Sequence, residues 1–461
     1  MKIREKRMLS ALCVMTMGIS LLVGCSTTKK TTTEVSTAQD SKVKLSFTFR
    51  DDGLGEKGNL YKWLKQITPE FTKKTNIEVA VNPITASEGD YFAKIALALK
   101  SPDTAPDIIT EDTFQINGDV AAGYLTPIDD YLKKWTDWTD NSYYEALKKG
   151  VTASDSKVYG VPYNTDSRGL WYNKDLFEKA GLPREWQPKT WDEVIATCKT
   201  LKVKLPDVIP FWMNSGKATG EATSMQSYEM LLYGTGERLI DDNNKWIVKS
   251  QGILDSLSFI QTIYTQGLGA PISKVLDAQA GNMSARDYMP KGKLAISLDG
   301  SWITGNWSKG GAAEWSGYEN IMGFAKMPTN KGQGSGSVTL AGGWALSIPK
   351  NSKNHDAAWK FIEYAMSKDN ALAMSTISGE ISCRQDVAAD PTYQKTPFKK
   401  LSTEYLEAAE FRPANESYPL VSTEIQNMVE SVVTGTKPEA AMKTYGENVT
   451  RVVGDTNIIE K

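Results

Sequence analysis

VKLSFTF, residues 43–49, decides the fold. Its apolar residues Val43, Leu45, Phe47 and Phe49 alternate, and a period of two places them on one face of a strand. Outward from it, the polar loop RDDGLGEKG (50–58) leads into a helix-like segment over about 59–74, after which Ile77, Val79 and Val81 alternate again. YFAKIALALK (91–100) puts Phe92, Ile95, Ala96 and Leu99 on one helical face, and the short run DIIT (107–110) reads as a buried strand. Strand, helix, strand, helix, strand is a series that builds a parallel sheet with right-handed crossovers.

The second half repeats the habit. TWDEVIATCKTLK (190–202) opens with Thr190 and Glu193 in capping-box spacing, and Gly181 closes the preceding helix NKDLFEKAG. VIPFWM (208–213) and LAISL (294–298) read as buried strands, and NHDAAWKFIEYAM (354–366) sets Ala358, Phe361, Ile362 and Ala365 on one helical face. The chain has 461 residues, too many for one ordinary core at roughly 100 to 200 residues per domain. The expectation is an α/β protein with two lobes.

The N-terminus has a different character. MKIREKR is followed by an uncharged apolar run from Met8 to Gly24, the layout of a secretory signal peptide. The run approaches the length of a membrane span, but Ser10, Thr16 and Ser20 interrupt it. It ends in Leu22-Val23-Gly24-Cys25, which resembles the lipobox of bacterial lipoproteins and implies lipidation at Cys25. Lipid chains there would hold the protein to a membrane face. From Ser26 to about Asp40 there is almost nothing apolar, so this stretch reads as a flexible tether, with 1–24 the signal peptide and 25–42 the anchor and its leash.

Composition removes several function classes. Lys+Arg 53 against Asp+Glu 55 leaves no basic excess for nucleic acid. A single histidine, His355, disfavours zinc sites and Ser/His or Cys/His catalysis, and its place in NSKNHDAAWKF reads as an exposed first-turn residue. Beyond Cys13 and Cys25 the cysteines are Cys198 and Cys383; an extracytoplasmic compartment permits a disulfide, while the helical spacing of Cys198 with Trp191, Val194, Ile195 and Leu201 makes it a small buried hydrophobe. DDNNKWIVKSQG (241–252) has Trp246 where a calcium loop needs glycine, and NKGQGSGS (330–337) lacks the ending of a P-loop.

Ligands of open α/β sheets bind beyond the carboxyl ends of the strands. The residues there are Arg50, Asp51 and Asp52; Glu111, Asp112, Thr113, Phe114 and Gln115; Asn214 and Ser215; and Asp299, Gly300, Ser301 and Trp302. Carboxylates, amides and arginine suit hydroxyls that both donate and accept, and flat aromatic rings suit the C–H face of a sugar. Asp, Asn and Gly are also ordinary turn residues, so the inference rests on the recurrence of the mixture with Phe114, Trp302 and Trp344. Paired carboxylates also leave a carboxylate-dependent glycoside hydrolase open.

GVPYNTDSRGLWYNKDLFEKAGL (160–182) resembles the extracellular carbohydrate-binding proteins of ABC importers, the family that includes maltose-binding protein. Tyr172-Asn173-Lys174-Asp175-Leu176 followed by PKTWDEVIATCKTL, then LAISLDGSWITGNW (294–307), VYGVPY (158–163) and GGWALSIPKNSKNHDAAWKFIEYAMS (342–367) extend the resemblance across the mature chain. It implies two α/β lobes joined by three crossings near 161–168, 323–330 and 378–386, with 43–164 plus 329–378 as one lobe and 165–328 plus 379–461 as the other. It further implies a monomeric, non-catalytic lipoprotein without cofactor or metal, serving membrane permease subunits with a carbohydrate, an oligosaccharide in view of 13 tryptophans. By matching motifs, Asp166, Trp302, Trp344, Arg384 and Arg412 fall at cleft positions, and Asp51, Asp52, Glu111 and Asp112 match by place after a strand. Alternatives are the hydrolase, or the same fold holding a polyol or a sugar phosphate.

Overall fold

The computed structural model describes residues 42–140 and 142–461. The signal peptide, the Cys25 lipidation site and the tether to Ser41 lie outside the described residues. Strand β1 (Lys44–Asp51) carries Leu45, Phe47 and Phe49 inward, and burial of each such side chain contributes about 1.5–3 kcal/mol. β1 is flanked by β2 (Glu78–Thr85) and β3 (Ile108–Asp112), both parallel to it, with Phe47 opposite Val81 and Ile108. Between them run helix α1 (Asn59–Thr75), which buries Trp63, Leu64, Ile67 and Phe71, and helix α2 (Glu88–Leu99). Asn76 ends α1 in the left-handed conformation, with Lys73 and Lys74 in the last turn where the helix dipole favours cations. On α2 the buried line is Tyr91, Ile95 and Leu99, one position round from the expected Phe92 line; the Tyr91 hydroxyl donates to Thr110 O at 2.8 Å.

This sheet is mixed. The strand Gly343–Ser347 inserts antiparallel between β3 and β4 (Val161–Thr165), giving the order β2-β1-β3-(343–347)-β4. It reaches the sheet only after the chain has built a second one, and so enters from the opposite direction. The second sheet has the order β6-(294–300)-β5-(322–325), from β5 (Arg168–Asn173), β6 (Ile209–Trp212) and the strands Leu294–Gly300 and Met322–Ala325. Trp171 sits opposite Ser297 and Phe324, its ring stacked on Phe324. Two residues, Asp166 and Ser167, separate β4 from β5, so the chain passes from one sheet to the other in a single step.

Each sheet has its own core. The larger runs from Leu170 to Leu340 and resumes at Tyr405, with Val338 and Leu340 in it, and it takes in Phe114 from the first sheet's segment, whose ring packs on Tyr418. The first sheet's core includes Cys383, Val387 and Tyr393. Cys198 and Cys383 are both buried free thiols, one in each core. Thr190 caps its helix as expected, accepting from Glu193 N at 3.3 Å, while the Glu193 carboxylate accepts from Lys189 N at 2.8 Å. His355 does begin a helix, but it is half-buried rather than exposed, with Nε2 shielded from solvent. Among the described residues no helix is long and apolar enough to cross a membrane, and no acid, histidine or cysteine cluster could hold a metal ion.

Candidate functional site

The strand ends of the two sheets face one another across a cavity of about 560 Å³, inside the roughly 300 to 1,000 Å³ range of small-ligand sites. From the first sheet come Arg50 and Asp51 at the end of β1 and Asp52 just after it, Asp112 at the end of β3, Trp344 on the inserted strand and Asp166 after β4. From the second come Asn214 after β6, Asp299 and Trp302 at the end of Leu294–Gly300, and Arg168 at the start of β5.

Two aromatic rings give the cavity its apolar surfaces. Trp302 is half-buried, with the Arg168 guanidinium 5.1 Å from its ring centroid. The ring lies over the backbone of Gly300, where a Cβ would come within 1.7 Å of it, so glycine is required there. Trp344 is stacked on Phe92 at 5.9 Å and packs against the first sheet's core, and it also lines the cavity. Its backbone N–H donates to Asn164 Oδ1 at 2.8 Å. Gly343 beside it has φ 141°, and a Cβ there would lie 2.2 Å from Asn164 O.

The charged groups are arranged mostly in pairs. Arg412 is the central one. It donates to Asp112 Oδ1 at 2.7 Å and to Glu221 Oε2 at 3.0 Å, and its guanidinium lies 4.5 Å from the Phe114 ring centroid. Burial opposes its charge, but the two carboxylates outweigh burial and raise its pKa further. Asp52 is ion-paired with Arg286, which also donates to Asn306 Oδ1 at 2.7 Å. Asp166 is paired with Arg168 and accepts from Gly342 N at 3.1 Å. Asp51 accepts from Leu54 N, Gly55 N and the Thr85 hydroxyl, which makes it a brace for the loop after β1 as well as part of the wall.

Four of the wall acids, Asp51, Glu88, Asp299 and Glu380, form no ion pair with an arginine among the described residues, and two of them are set apart by burial. Asp299 accepts only from its neighbour Gly300 N at 2.8 Å, and burial pushes its carboxyl up to about 7. Burial likewise raises Glu88, in the first turn of α2, to about 7, with Arg50 opposing. The Asn214 Oδ1 atom, also on the wall, is buried with no protein donor.

Glu111, Gln115 and Arg384 do not line the cavity, and neither does Phe114, whose ring lies against the Arg412 guanidinium and Tyr418. Glu111 precedes Asp112 on β3, and successive strand residues face opposite sides, so it is buried on the far face beside Asp119. Gln115 stands at the N-terminal end of the short helix Ile116–Ala121, and it is not among the cavity-lining residues. Arg384 is 2 % exposed and pinned by Asp137, Asp386 and the Met366 carbonyl, holding the chain after 378 against the first sheet's core. Conversely, Arg168, Glu88, Glu221, Arg286 and Asn306 line the cavity without having been expected. Glu88 follows β2, so the strand-end rule could have found it. Glu221 opens the continuous helical stretch 221–234 and Arg286 lies on the stretch 280–288, neither of which follows directly on a strand. Arg168 stands at the entrance of a strand running antiparallel to its neighbours, where that rule does not look.

The family model described as "Bacterial extracellular solute-binding protein" matches residues 55–372. The maltooligosaccharide ABC transporter solute-binding lipoprotein of Streptococcus pneumoniae serotype 4 is 24% identical over 372 residues, 79% of this chain and 78% of that one. Among solved structures, an ABC transporter solute-binding protein from Thermotoga lettingae bound with alpha-D-tagatose superposes with a TM-score of 0.76 at 27% identity, covering 89% of this chain and 100% of the other. A Listeria monocytogenes ABC substrate-binding protein in complex with cycloalternan has a TM-score of 0.75 at 19% identity, covering 90% and 99%.

Proposed function

Because the chain belongs to the bacterial extracellular solute-binding protein family, we propose that it is the substrate-binding lipoprotein of a carbohydrate ABC importer, holding an oligosaccharide between its lobes and delivering it to a membrane permease. The observation that carries this reading is the chemistry of the cavity wall: two indole rings, Trp302 and Trp344, among carboxylates and amides that match sugar hydroxyls. A relative named for maltooligosaccharide and a solved structure bound with alpha-D-tagatose support a carbohydrate ligand. The site residues we assign are Arg50, Asp52, Asp112, Asp166, Asn214, Asp299, Trp302, Trp344 and Arg412.

We assign 42–165 with 342–397 to one lobe and 166–341 with 398–461 to the other, a division that the two cores support with Phe114 packing across it. This moves 165, 329–341 and 379–397 across the boundaries expected in the sequence. Ligand touching both strand-end sets shifts the population toward the closed arrangement, and the closed form is what a permease reads. Lipidation at Cys25 keeps the receptor at the membrane.

The wall carries eight carboxylates against four guanidiniums among the described residues, which disfavours a sugar phosphate. The hydrolase reading is separated by experiment. Incubation with a panel of mono- and oligosaccharides, polyols and sugar phosphates, followed by a thermal-shift scan and product analysis, should give a stabilisation of about 2.7 kcal/mol at a hundredfold excess over Kd and no product. Cleavage products would establish the enzyme instead, and a shift with polyols alone would change the substrate class.

A further inference from the structure

The last passage of the chain from one core to the other lies between Tyr393, in the first sheet's core, and Phe398, whose ring packs 4.9 Å from Trp171 in the second's. Phe398 has φ 64°, a left-handed conformation that a bulky residue adopts only where its surroundings impose it. The helix that follows, Lys399–Tyr405, belongs to the second sheet's side: the Tyr405 hydroxyl donates to Phe324 O at 2.8 Å, and Ser402 O accepts from the Ser167 hydroxyl at 2.9 Å.

The first residue of that helix reaches back across the passage. Lys399 is 2 % exposed; its Nζ donates to Glu380 O and lies 5.6 Å from the Tyr393 ring centroid. Glu380 lines the cleft, and the next residue, Ile381, is paired with Thr165 at the end of β4 through hydrogen bonds of 2.8 and 3.0 Å. The amine thus joins the second lobe's helix to the segment that runs beside the first crossing.

This is a poor site for an ammonium. Its three donors meet one carbonyl, and a buried charge without a close counter-ion is costly. Glu380 is the charged group that faces it, while Asp166 bears on Glu380 instead, and burial raises the Glu380 carboxyl and so weakens it as a counter-ion. Burial brings Lys399 from 10.5 down to about 7.

We infer that Lys399 is a proton switch in the hinge: as a neutral amine it pins the second lobe's helix to the backbone at Glu380, and on taking a proton it leaves this site for water and frees the segment from Gly379 onward. An amine that regains its ordinary basicity when released binds protons more tightly in the released form, so the pinned form loses stability as pH falls from about 10.5 to about 7. The buried wall acids Glu88 and Asp299, raised to about 7, act in the opposite sense, so the sign identifies the amine. The switch does not depend on which solute the cleft takes.

The test is amide hydrogen exchange of the purified protein at pH 6 and pH 9, corrected for the intrinsic exchange rate, with Lys399→Met as a chain of similar length that carries no proton. The protection of residues 379–386 in the variant relative to the parent should be greater at pH 6 than at pH 9 by about tenfold or more. A ratio that does not change with pH makes Lys399 a structural residue only, and a ratio greater at pH 9 reverses the switch; either overturns the proposal. Should the variant misfold, lysine-labelled NMR on the parent decides: one side-chain amine should titrate near neutral pH, and the proposal falls if every lysine titrates at its ordinary value.

Discussion

Arg412, on the segment that follows the strand Ala409–Glu410, donates to Asp112 Oδ1 at 2.7 Å across the cleft, joining the end of the first sheet's central strand to the opposite wall. Glu221 takes the other side of the guanidinium, so one cation serves two buried carboxylates.

Arg412→Ala leaves Asp112 and Glu221 without their counter-ion. Breaking a buried pair from one side costs about 3–5 kcal/mol, so the midpoint of chemical denaturation should fall and ligand affinity with it. Arg412→Lys should recover only part, because an ammonium cannot bond both carboxylates in the fork geometry.

Trp302→Ala should weaken sugar binding by about tenfold or more, a loss on the order of 1.4 kcal/mol. Trp186 packs on Tyr172 and Phe177 away from the cavity, so Trp186→Ala should lower stability and leave affinity unchanged. Equal losses in calorimetry would remove Trp302 from the site.

Gly300→Ala puts a methyl group where the Trp302 ring lies. The ring must move, so this small substitution should reproduce most of the affinity loss of Trp302→Ala, while Gly310→Ala, with open space around its Cβ, should keep affinity and lose only the backbone term of its positive φ.

The Tyr418 hydroxyl lies 2.9 Å from Glu221 Oε2 and 2.7 Å from Glu229 Oε1. One hydroxyl proton cannot serve both, so Glu229 carries its own. Burial pushes Glu229 from 4.5 up to about 8, with the Glu221 charge adding to it. The folded state therefore holds a proton that the unfolded chain has released, and stability falls as pH rises from about 4.5 to about 8. Asp299, raised to about 7, contributes in the same direction. Denaturation curves across that window should flatten in Glu229→Gln, with the largest gain over the parent at the alkaline end.

Much of this was legible in the residues. Alternation in VKLSFTF and the short run DIIT gave the parallel part of the first sheet, because those strands bury a face or both faces. The antiparallel strand Gly343–Ser347 carries no local mark of its direction, which long-range connectivity sets. The strand-end rule reached Asp52, Asp112, Asn214 and Asp299, since it depends only on where a strand stops. It also took in Glu111, because it does not say which of two neighbours faces the cleft. Arg384 failed for another reason: an arginine on a loop looks the same whether it faces a ligand or, as here, three groups of its own chain.

The most direct test of the central claim is a crystal structure of the protein with the sugar that stabilises it most. The account predicts the ligand between the two sheets, with a ring against Trp302 and hydroxyls on Asp299 and Asn214. A sugar bound elsewhere, with the cavity between Trp302 and Trp344 empty, would contradict it.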